Sequence, residues 1–412
     1  MQVNGIIAEY NPFHNGHQYH LEESRRITGA DYTIIAMSGS FMQRGTPAIL
    51  NKYARTEMAL KNGADLVLEI PSFYACGSAE YFATGAVSML DKLGVVNRLC
   101  FGSECGQEDL LDQIARILIE EPESYKVRLR IKLRQGYSFP TARSLALLEY
   151  CPSLSGAIEV FSSPNNILGI EYIKAVLRRA SSILPSTTKR IGSDYHDKLM
   201  GTHQSSALAI RHAIFSKRDL NLLREQMPEN AHEILLRTWE KSVPIHSNDF
   251  SLPLHYKLLA EADSGYSQYV DVTSDLSDRI RKNLYGFTNY RGFCDLLKSK
   301  DLTYARISRS LMHILLDMKT ETLESYKTDL DYVPYARVLG FRKDASPLLS
   351  AIKENSSIPM ISKLADADKV LSGGALKMLR KDVAISNIYN CVAAHKCRQP
   401  MVNEYSTPLV IL

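Results

Sequence analysis

Near the N-terminus, Asn11-Pro12-Phe13-His14-Asn15-Gly16-His17 sets two imidazoles three residues apart in a loop shaped by Pro12 and Gly16. If the following residues open a helix, its first backbone N–H groups lack partners and its dipole favours negative charge. A phosphate is the natural ligand of such a terminus. Imidazoles at 14 and 17 add donors that can follow charge developing on an α-phosphate and on a leaving pyrophosphate, and they donate even when neutral. Gly16 lets a nucleotide approach the backbone closely. The chemistry that fits is adenylyl transfer from ATP, accompanied by Mg²⁺, with His14 and His17 as catalytic residues. The competing reading, in which His14, His17 and His20 merely dress a turn, weakens because the loop follows directly on an apolar strand.

Other groups are more ambiguous. Ser38, Gln43 and Arg44 lie in a polar, glycine-flanked stretch after a second apolar run, where Arg44 can hold a phosphate of ATP or of RNA. Asp65 and Glu69 sit on a strand and read best as structural ion-pair partners. Arg279, Arg281, Lys282 and Arg291 accompany Tyr285, Phe287 and Tyr290, a mixture suited to phosphate and base contacts. Arg306 and Arg309 share a helix face at i, i+3, and Arg337, Arg342 and Lys343 form a third basic group. Cys391, His395 and Cys397 are close in sequence, but their spacing fits no common zinc module, and no metal site is expected there.

The elements that must position these residues are readable from periodicity. Residues 3–9, 31–37, 65–70 and 98–102 are short apolar runs, separated by helical patterns over 17–27, 51–61 and 78–93. This alternation predicts an α/β fold with a parallel sheet covered on both faces. Ligands of such sheets gather beyond the carboxyl ends of the strands, so loops 9–17, 37–50, 70–78 and 102–107 are the candidates. A helical insertion over about 108–160, a helix over 166–179, a strand over 183–188 and a helix over 206–215 complete a first domain, 1–220. Residues 221–412 read as a mainly α-helical second region, with a good amphipathic helix at 304–316.

The bulk composition agrees. The chain has 412 residues, 45% of them hydrophobic and 23% charged, which suits a globular protein of more than one domain. Seven scattered cysteines argue for free thiols rather than a disulfide framework. There is no apolar run of about 18 residues and no secretory pattern at the start, so a cytoplasmic protein without a membrane partner is expected. Net charge is +4, and residues 271–412 hold 21 Lys and Arg against 16 Asp and Glu. The positive excess therefore sits in the last third, which favours a polyanion there.

The placement of His14-Asn15-Gly16-His17 after the first strand resembles the His-x-Gly-His nucleotidyltransferase superfamily, which includes class I aminoacyl-tRNA synthetases. A second signature of that superfamily matches Ser205-Ser206-Ala207-Leu208-Ala209-Ile210-Arg211 at Ser206, Ile210 and Arg211, with Ala207 and Leu208 replacing hydroxyl residues. Further blocks are 37–48, 63–71, Phe101-Gly102-Ser103-Glu104, 163–172 and 335–341. Together they make the whole chain resemble the tRNA(Met) cytidine acetate ligase family.

The resemblance implies a nucleotidyltransferase-like (Rossmann-like) domain followed by a mainly helical one. It implies that ATP and acetate give acetyl-adenylate and pyrophosphate. The N4 amine of the wobble cytidine of elongator tRNA(Met) then takes the acetyl group, leaving N4-acetylcytidine and AMP. The implied nucleotide site runs through Ile7, Ala8, Glu9, Tyr10, Asn11, Pro12, Phe13, His14, Asn15, Gly16, His17, Gln18, Tyr19 and His20. It adds Gly102, Asn166, Arg190 and Ile191, with Ser206 and Arg211 from the second signature. The RNA contacts expected are Arg44, Arg281, Lys282, Arg306, Arg309 and Arg337. The rival readings are a small-molecule adenylyltransferase of the same superfamily and a non-catalytic RNA-binding protein.

Overall fold

The computed structural model describes every residue except 155–156, 191–204, 217–219, 242–243 and 301. Five parallel strands form its centre: β1 (Val3–Ala8), β2 (Tyr32–Ser38), β3 (Leu66–Ile70), β4 (Arg98–Ser103) and β5 (Leu184–Lys189). Their spatial order is β5-β4-β1-β2-β3, so the chain builds outward from β1 in one direction and from β4 in the other. The reversal opens a crevice at the carboxyl ends of β1 and β4, where a ligand of such a sheet sits.

Alternation along β2 shows why both faces must be covered. Ile34 and Ala36 join one buried cluster with Leu66, Leu68, Leu99 and Phe101, while Ile35 and Met37 join the other with Ile6 and Val67. Successive strand residues point to opposite faces, so a strand apolar at every position is buried on both sides. Helices Ala79–Lys92 and Pro164–Arg178 supply the first cluster. Helices Asn15–Thr28 and Lys52–Lys61 supply the second. Among the described residues no helix is long and apolar enough to cross a membrane.

The region after residue 220 is largely helical and ends in the 25-residue helix Gly373–Cys397. It is not helical throughout. Residues 335–341, read from sequence as part of a helical region, form β6 (Ala336–Phe341), which pairs antiparallel with β3. Two short strands, β7 (Met360–Ile361) and β8 (Val410–Ile411), pair parallel with β6. The sheet therefore takes strands from both sides of residue 220.

This arrangement reassigns Arg337. On β6 its side chain is buried, with ion pairs to Glu69 at 2.8 Å and to Glu404 at 2.7 Å. Lys52, 2% exposed, lies between the same carboxylates, 2.9 Å from Glu69 and 2.8 Å from Glu404. A guanidinium enclosed by two carboxylates has no face for RNA, so Arg337 is a structural residue and not an RNA contact. Burial alone would raise the Glu404 carboxyl, but Lys52 and Arg337 outweigh it and hold it at about 2.

Charges taken out of water stay stable only while each keeps its partners. Lys52→Met would leave two buried carboxylates sharing Arg337 alone. The expected loss is about 3–5 kcal/mol of stability, read as a lower urea midpoint. A midpoint equal to wild type would refute this account of the cluster.

Candidate active site

The histidine loop begins where β1 ends, and its shape is fixed from below. Arg55 of helix Lys52–Lys61 is fully buried and donates to the carbonyls of Glu9 at 2.8 Å, Ser38 at 2.9 Å and Gly39, with its Nε on Leu50 at 3.2 Å. One guanidinium thus ties the carboxyl ends of β1 and β2 together through acceptors that would otherwise be buried without partners. Asn11 Oδ1 accepts from the Ile49 N–H at 2.9 Å, joining the loop to the stretch after β2. Tyr10, in the left-handed region at φ 45°, packs its ring 4.8 Å from Phe13 and 4.9 Å from His17. Nothing in residue type marked Arg55 in advance, since a helix-borne arginine is ordinarily a surface group.

His14 is the N-cap of helix Asn15–Thr28. Its Nδ1 accepts from the Gly16 N–H at 3.0 Å, and Nδ1 of His17 accepts from the His14 N–H at 3.3 Å. The reciprocal pattern is that of a capping box, with imidazoles in place of the usual hydroxyl and carboxylate. It also decides the tautomers. A neutral ring whose Nδ1 accepts must carry its proton on Nε2. The rings stack with centroids 3.7 Å apart, so the two Nε2–H donors lie side by side at the helix terminus.

Burial, with Arg190 and Arg211 nearby, pushes His14 down to about 3. His17 is lowered by burial and then by His14 and Arg190, and His20 falls to about 4 through burial and Arg190. All three are held neutral at physiological pH. Among the described residues the buried Nε2 of His20 and the hydroxyl of Tyr10 lack hydrogen-bond partners. Orphaned polar atoms beside a helix N-terminus are the mark of a site shaped for a polar ligand.

The other wall of the crevice follows β4. Glu104 accepts from the backbone N–H groups of Asn165 at 3.3 Å and Asn166 at 2.9 Å, and from the Asn165 amide at 2.6 Å. Asn166 Oδ1 accepts in return from the N–H groups of Glu104 at 2.9 Å and Cys105 at 3.1 Å. The clamp fixes the loop after β4 against the N-terminus of helix Pro164–Arg178. At Gly102 a Cβ would lie 3.3 Å from Cγ of Arg190, whose backbone N–H donates to Ser103 at 2.9 Å. Arg190 therefore lies across Gly102, and its charge is felt at all three histidines.

Arg211 comes from helix Ala207–Phe215 and donates to the Asn11 carbonyl at 2.7 Å, so the second signature meets the first loop. Ser206 caps that helix by accepting from Ala209 at 3.1 Å. Asn15 donates to the carbonyl of Glu225 at 2.8 Å, and Gln18 to Glu22 at 2.8 Å on the outer face of its helix. Ile7 and Ala8, the last residues of β1, are half-buried at the crevice. Ile191 lies outside the described residues.

The expected RNA contacts separate by environment. Arg281 and Lys282 are exposed on helix Ser274–Asn283, and Arg44 and Arg306 are half-buried. Arg309 is more engaged: its Nε pairs with Asp271 at 2.8 Å and the side chain is 13% exposed. It belongs to the packing of the 41–47 loop on helix Tyr304–Leu315, where the Gly45 carbonyl accepts from Ser308 at 2.8 Å and Tyr290 at 3.2 Å. Cys391, His395 and Cys397 lie in the last turns of helix Gly373–Cys397.

A histidine held neutral by folding stabilises the protein only above its unfolded pKa. Below about 6.5 the unfolded chain binds a proton that the native His14 refuses until about 3. Stability is therefore present at pH 7 and lost as pH falls, by about 2 kcal/mol at pH 5 from His14 alone. Urea midpoints at the two pH values, compared between wild type and His14→Gln, should show a shallower loss in the variant. Equal slopes would contradict the neutral assignment.

Comparison with known proteins agrees with this geometry. The sequence matches the HIGH Nucleotidyl Transferase family over residues 1–404. It is 39% identical over 416 residues to a tRNA(Met) cytidine acetate ligase of Acetivibrio thermocellus, covering 100% of both chains. It is 44% identical over 366 residues to that of Caldicellulosiruptor saccharolyticus, covering 88% of each. The fold superimposes on the apo crystal structure of Thermotoga maritima TmcAL with a TM-score of 0.93, at 33% identity and full coverage of both chains. A second crystal form, bound with alpha-thio ATP, gives 0.91 at the same identity and coverage. The chain belongs to the HIGH nucleotidyl transferases and, among them, to the tRNA(Met) cytidine acetate ligase family.

Proposed function

We propose that this protein is an ATP-dependent ligase that activates acetate as acetyl-adenylate and transfers the acetyl group to N4 of the wobble cytidine of elongator tRNA(Met). The observation that carries the reading is the imidazole pair whose Nδ1 atoms are occupied by backbone N–H groups, leaving two neutral Nε2 donors at a helix N-terminus beside the β1/β4 crevice. The names of the relatives and the alpha-thio ATP bound by TmcAL of Thermotoga maritima support it.

In this reading ATP lies along the loop after β1 with its phosphates on the N-terminus of helix Asn15–Thr28. Mg²⁺, if bound with the nucleotide, would neutralise part of the phosphate charge. His14 and His17 donate to the phosphate oxygens, with Arg190 and Arg211 as the neighbouring positive charges and the Ser206 cap behind them. An acetate oxygen attacks the α-phosphorus, the new O–P bond forms, and the bond to pyrophosphate breaks. Acetate is ionised at pH 7, so the step requires charge neutralisation and alignment rather than a base. The N4 amine then attacks the acetyl carbonyl, a proton leaves the nitrogen, and AMP departs. A closed crevice is required between the two steps, because water competes for the mixed anhydride.

The division of labour that follows assigns ATP chemistry to residues 1–220 and RNA contact mainly to residues 221–412, through Arg281, Lys282 and Arg306, with Arg44 of the first region joining them. The place of action is the cytoplasm, where tRNA is processed.

The test is to incubate the protein with ATP, acetate and total tRNA, then measure pyrophosphate and the masses of the tRNA nucleosides. The expected result is acetate-dependent pyrophosphate and N4-acetylcytidine confined to tRNA(Met). His17→Ala should reduce the rate by roughly 10²–10³-fold. Pyrophosphate release that ignores acetate and needs a phosphorylated metabolite would replace this reading with a small-molecule adenylyltransferase. Tight tRNA binding without any ATP turnover would replace it with a non-catalytic RNA-binding protein.

A further inference from the structure

The insertion between β4 and helix Pro164–Arg178 leaves and rejoins the sheet at the Glu104–Asn166 clamp, on the same side as the histidine loop. Within it, residues 124–148 hold six Lys and Arg and no Asp or Glu. Helix Glu123–Arg134 carries five of these charges and buries only Tyr125. That ring lies 6.3 Å from Tyr150 of the neighbouring helix Phe139–Tyr150 and holds the two helices together.

Leu129 packs on the core, and much of the rest of the helix faces solvent. Val127, Ile131 and Leu133 are each at least 40% exposed, and so are Tyr137 and Phe139 in the turn that follows. Gly136, at φ 83° with open space around it, forms that turn. Lys132 is neutralised by Glu149 at 2.5 Å, and Arg143 is folded over Phe161 at 4.7 Å. Lys126, half-buried, and Arg130 and Arg134, both exposed, recur every fourth residue and form one stripe, with successive charges about 6 Å apart along the axis. Arg130 meets Glu123 only at 3.4 Å with both side chains well exposed. Such a surface pair is weak. Among the described residues Lys126 and Arg134 enter no ion pair.

A largely exposed stripe of cations next to exposed aromatic rings suits a partner that is both anionic and able to stack. Single-stranded RNA meets both requirements, through its phosphates and its unpaired bases. A bilayer surface fits less well. The basic and apolar residues alternate along this helix, so four charge and apolar stripes replace the two opposed faces an interfacial helix presents.

We propose that helix Glu123–Arg134 and the turn to Phe139 form an RNA-binding arm. Lys126, Arg130 and Arg134 track phosphates, and Tyr137 and Phe139 stack on unpaired bases. The inference rests on the tRNA-acting reading above and adds to it a contact surface in the insertion after β4.

The test uses the full chain with Arg130→Glu/Arg134→Glu and, separately, Tyr137→Ala/Phe139→Ala, with Arg130→Lys/Arg134→Lys as the conservative control. Affinity for a tRNA(Met) transcript is measured by filter binding across a salt series, alongside acetate-dependent ATP–pyrophosphate exchange without tRNA. Charge reversal should weaken tRNA binding at least tenfold and lower the salt slope by about 1 to 2. The aromatic variant should lose affinity with the slope unchanged, and the lysine control should bind as wild type. Exchange should be the same in all four proteins, because the arm does not touch ATP.

The proposal is overturned if both test variants bind tRNA within twofold of wild type. It is also overturned if vesicles of anionic phospholipid, and not tRNA, lose binding to them. Wild-type protein that binds tRNA through the arm but shows no acetate-dependent exchange would refute the enzymatic reading and leave the arm standing.

Discussion

The active site depends on two backbone-to-imidazole hydrogen bonds. Nδ1 of His14 accepts from the Gly16 N–H in the first turn of helix Asn15–Thr28, and Nδ1 of His17 accepts from the N–H of the N-cap His14, so both satisfy N–H groups that a helix start leaves open. The same bonds put the ring protons on the outward nitrogens. The cap that starts the helix therefore also sets which ring nitrogens carry the donor protons. Stacking at 3.7 Å would be unfavourable for two charged rings, and burial keeps both uncharged. What surrounds the pair serves to hold it. Arg55 anchors the strand ends beneath, Arg211 grips the Asn11 carbonyl, and the Glu104–Asn166 clamp fixes the opposite wall.

A second set of buried charges holds the sheet's other edge. Lys52, Glu69, Arg337 and Glu404 come from a helix, two strands and the C-terminal segment, and each carboxylate faces two cations. Such a cluster adds little net stability compared with apolar packing, but it permits one arrangement only, since any slip strands a charge. It lies behind the loop after β2, where a side chain at Gly39 would collide with the Glu69 carboxylate. The position of that loop is thus coupled to the chain's last residues.

Much of this was legible in the residues. The runs at 3–9, 31–37, 65–70 and 98–102 became β1 to β4 with ends shifted by a residue or so, because an apolar run between amphipathic helices has few other solutions. The loop at 11–17 stood out because histidine, glycine and proline there each do something a generic residue does not. Other features were hidden. β6 is made by pairing with a strand far away in sequence, and such pairing leaves no local periodicity. Arg281 and Arg337 look alike as residues, and only burial distinguishes an exposed cation from one enclosed by Glu69 and Glu404. The arm at 123–139 was masked by its neighbours. Residues 108–160 hold seven Lys and Arg against eight Asp and Glu, so a count over the insertion cancels a segment that is purely basic.

The antiparallel placement of β6 beside β3 bears on how the protein is made. A ribosome delivers β1 to β5 in order, and these can assemble while translation continues. The outer rim of β3 has to wait for residues 336–341, and an open strand rim invites pairing with other chains. Nascent chains halted before that point would leave the outer rim of β3 uncovered. Chaperone protection during synthesis would matter most in that interval.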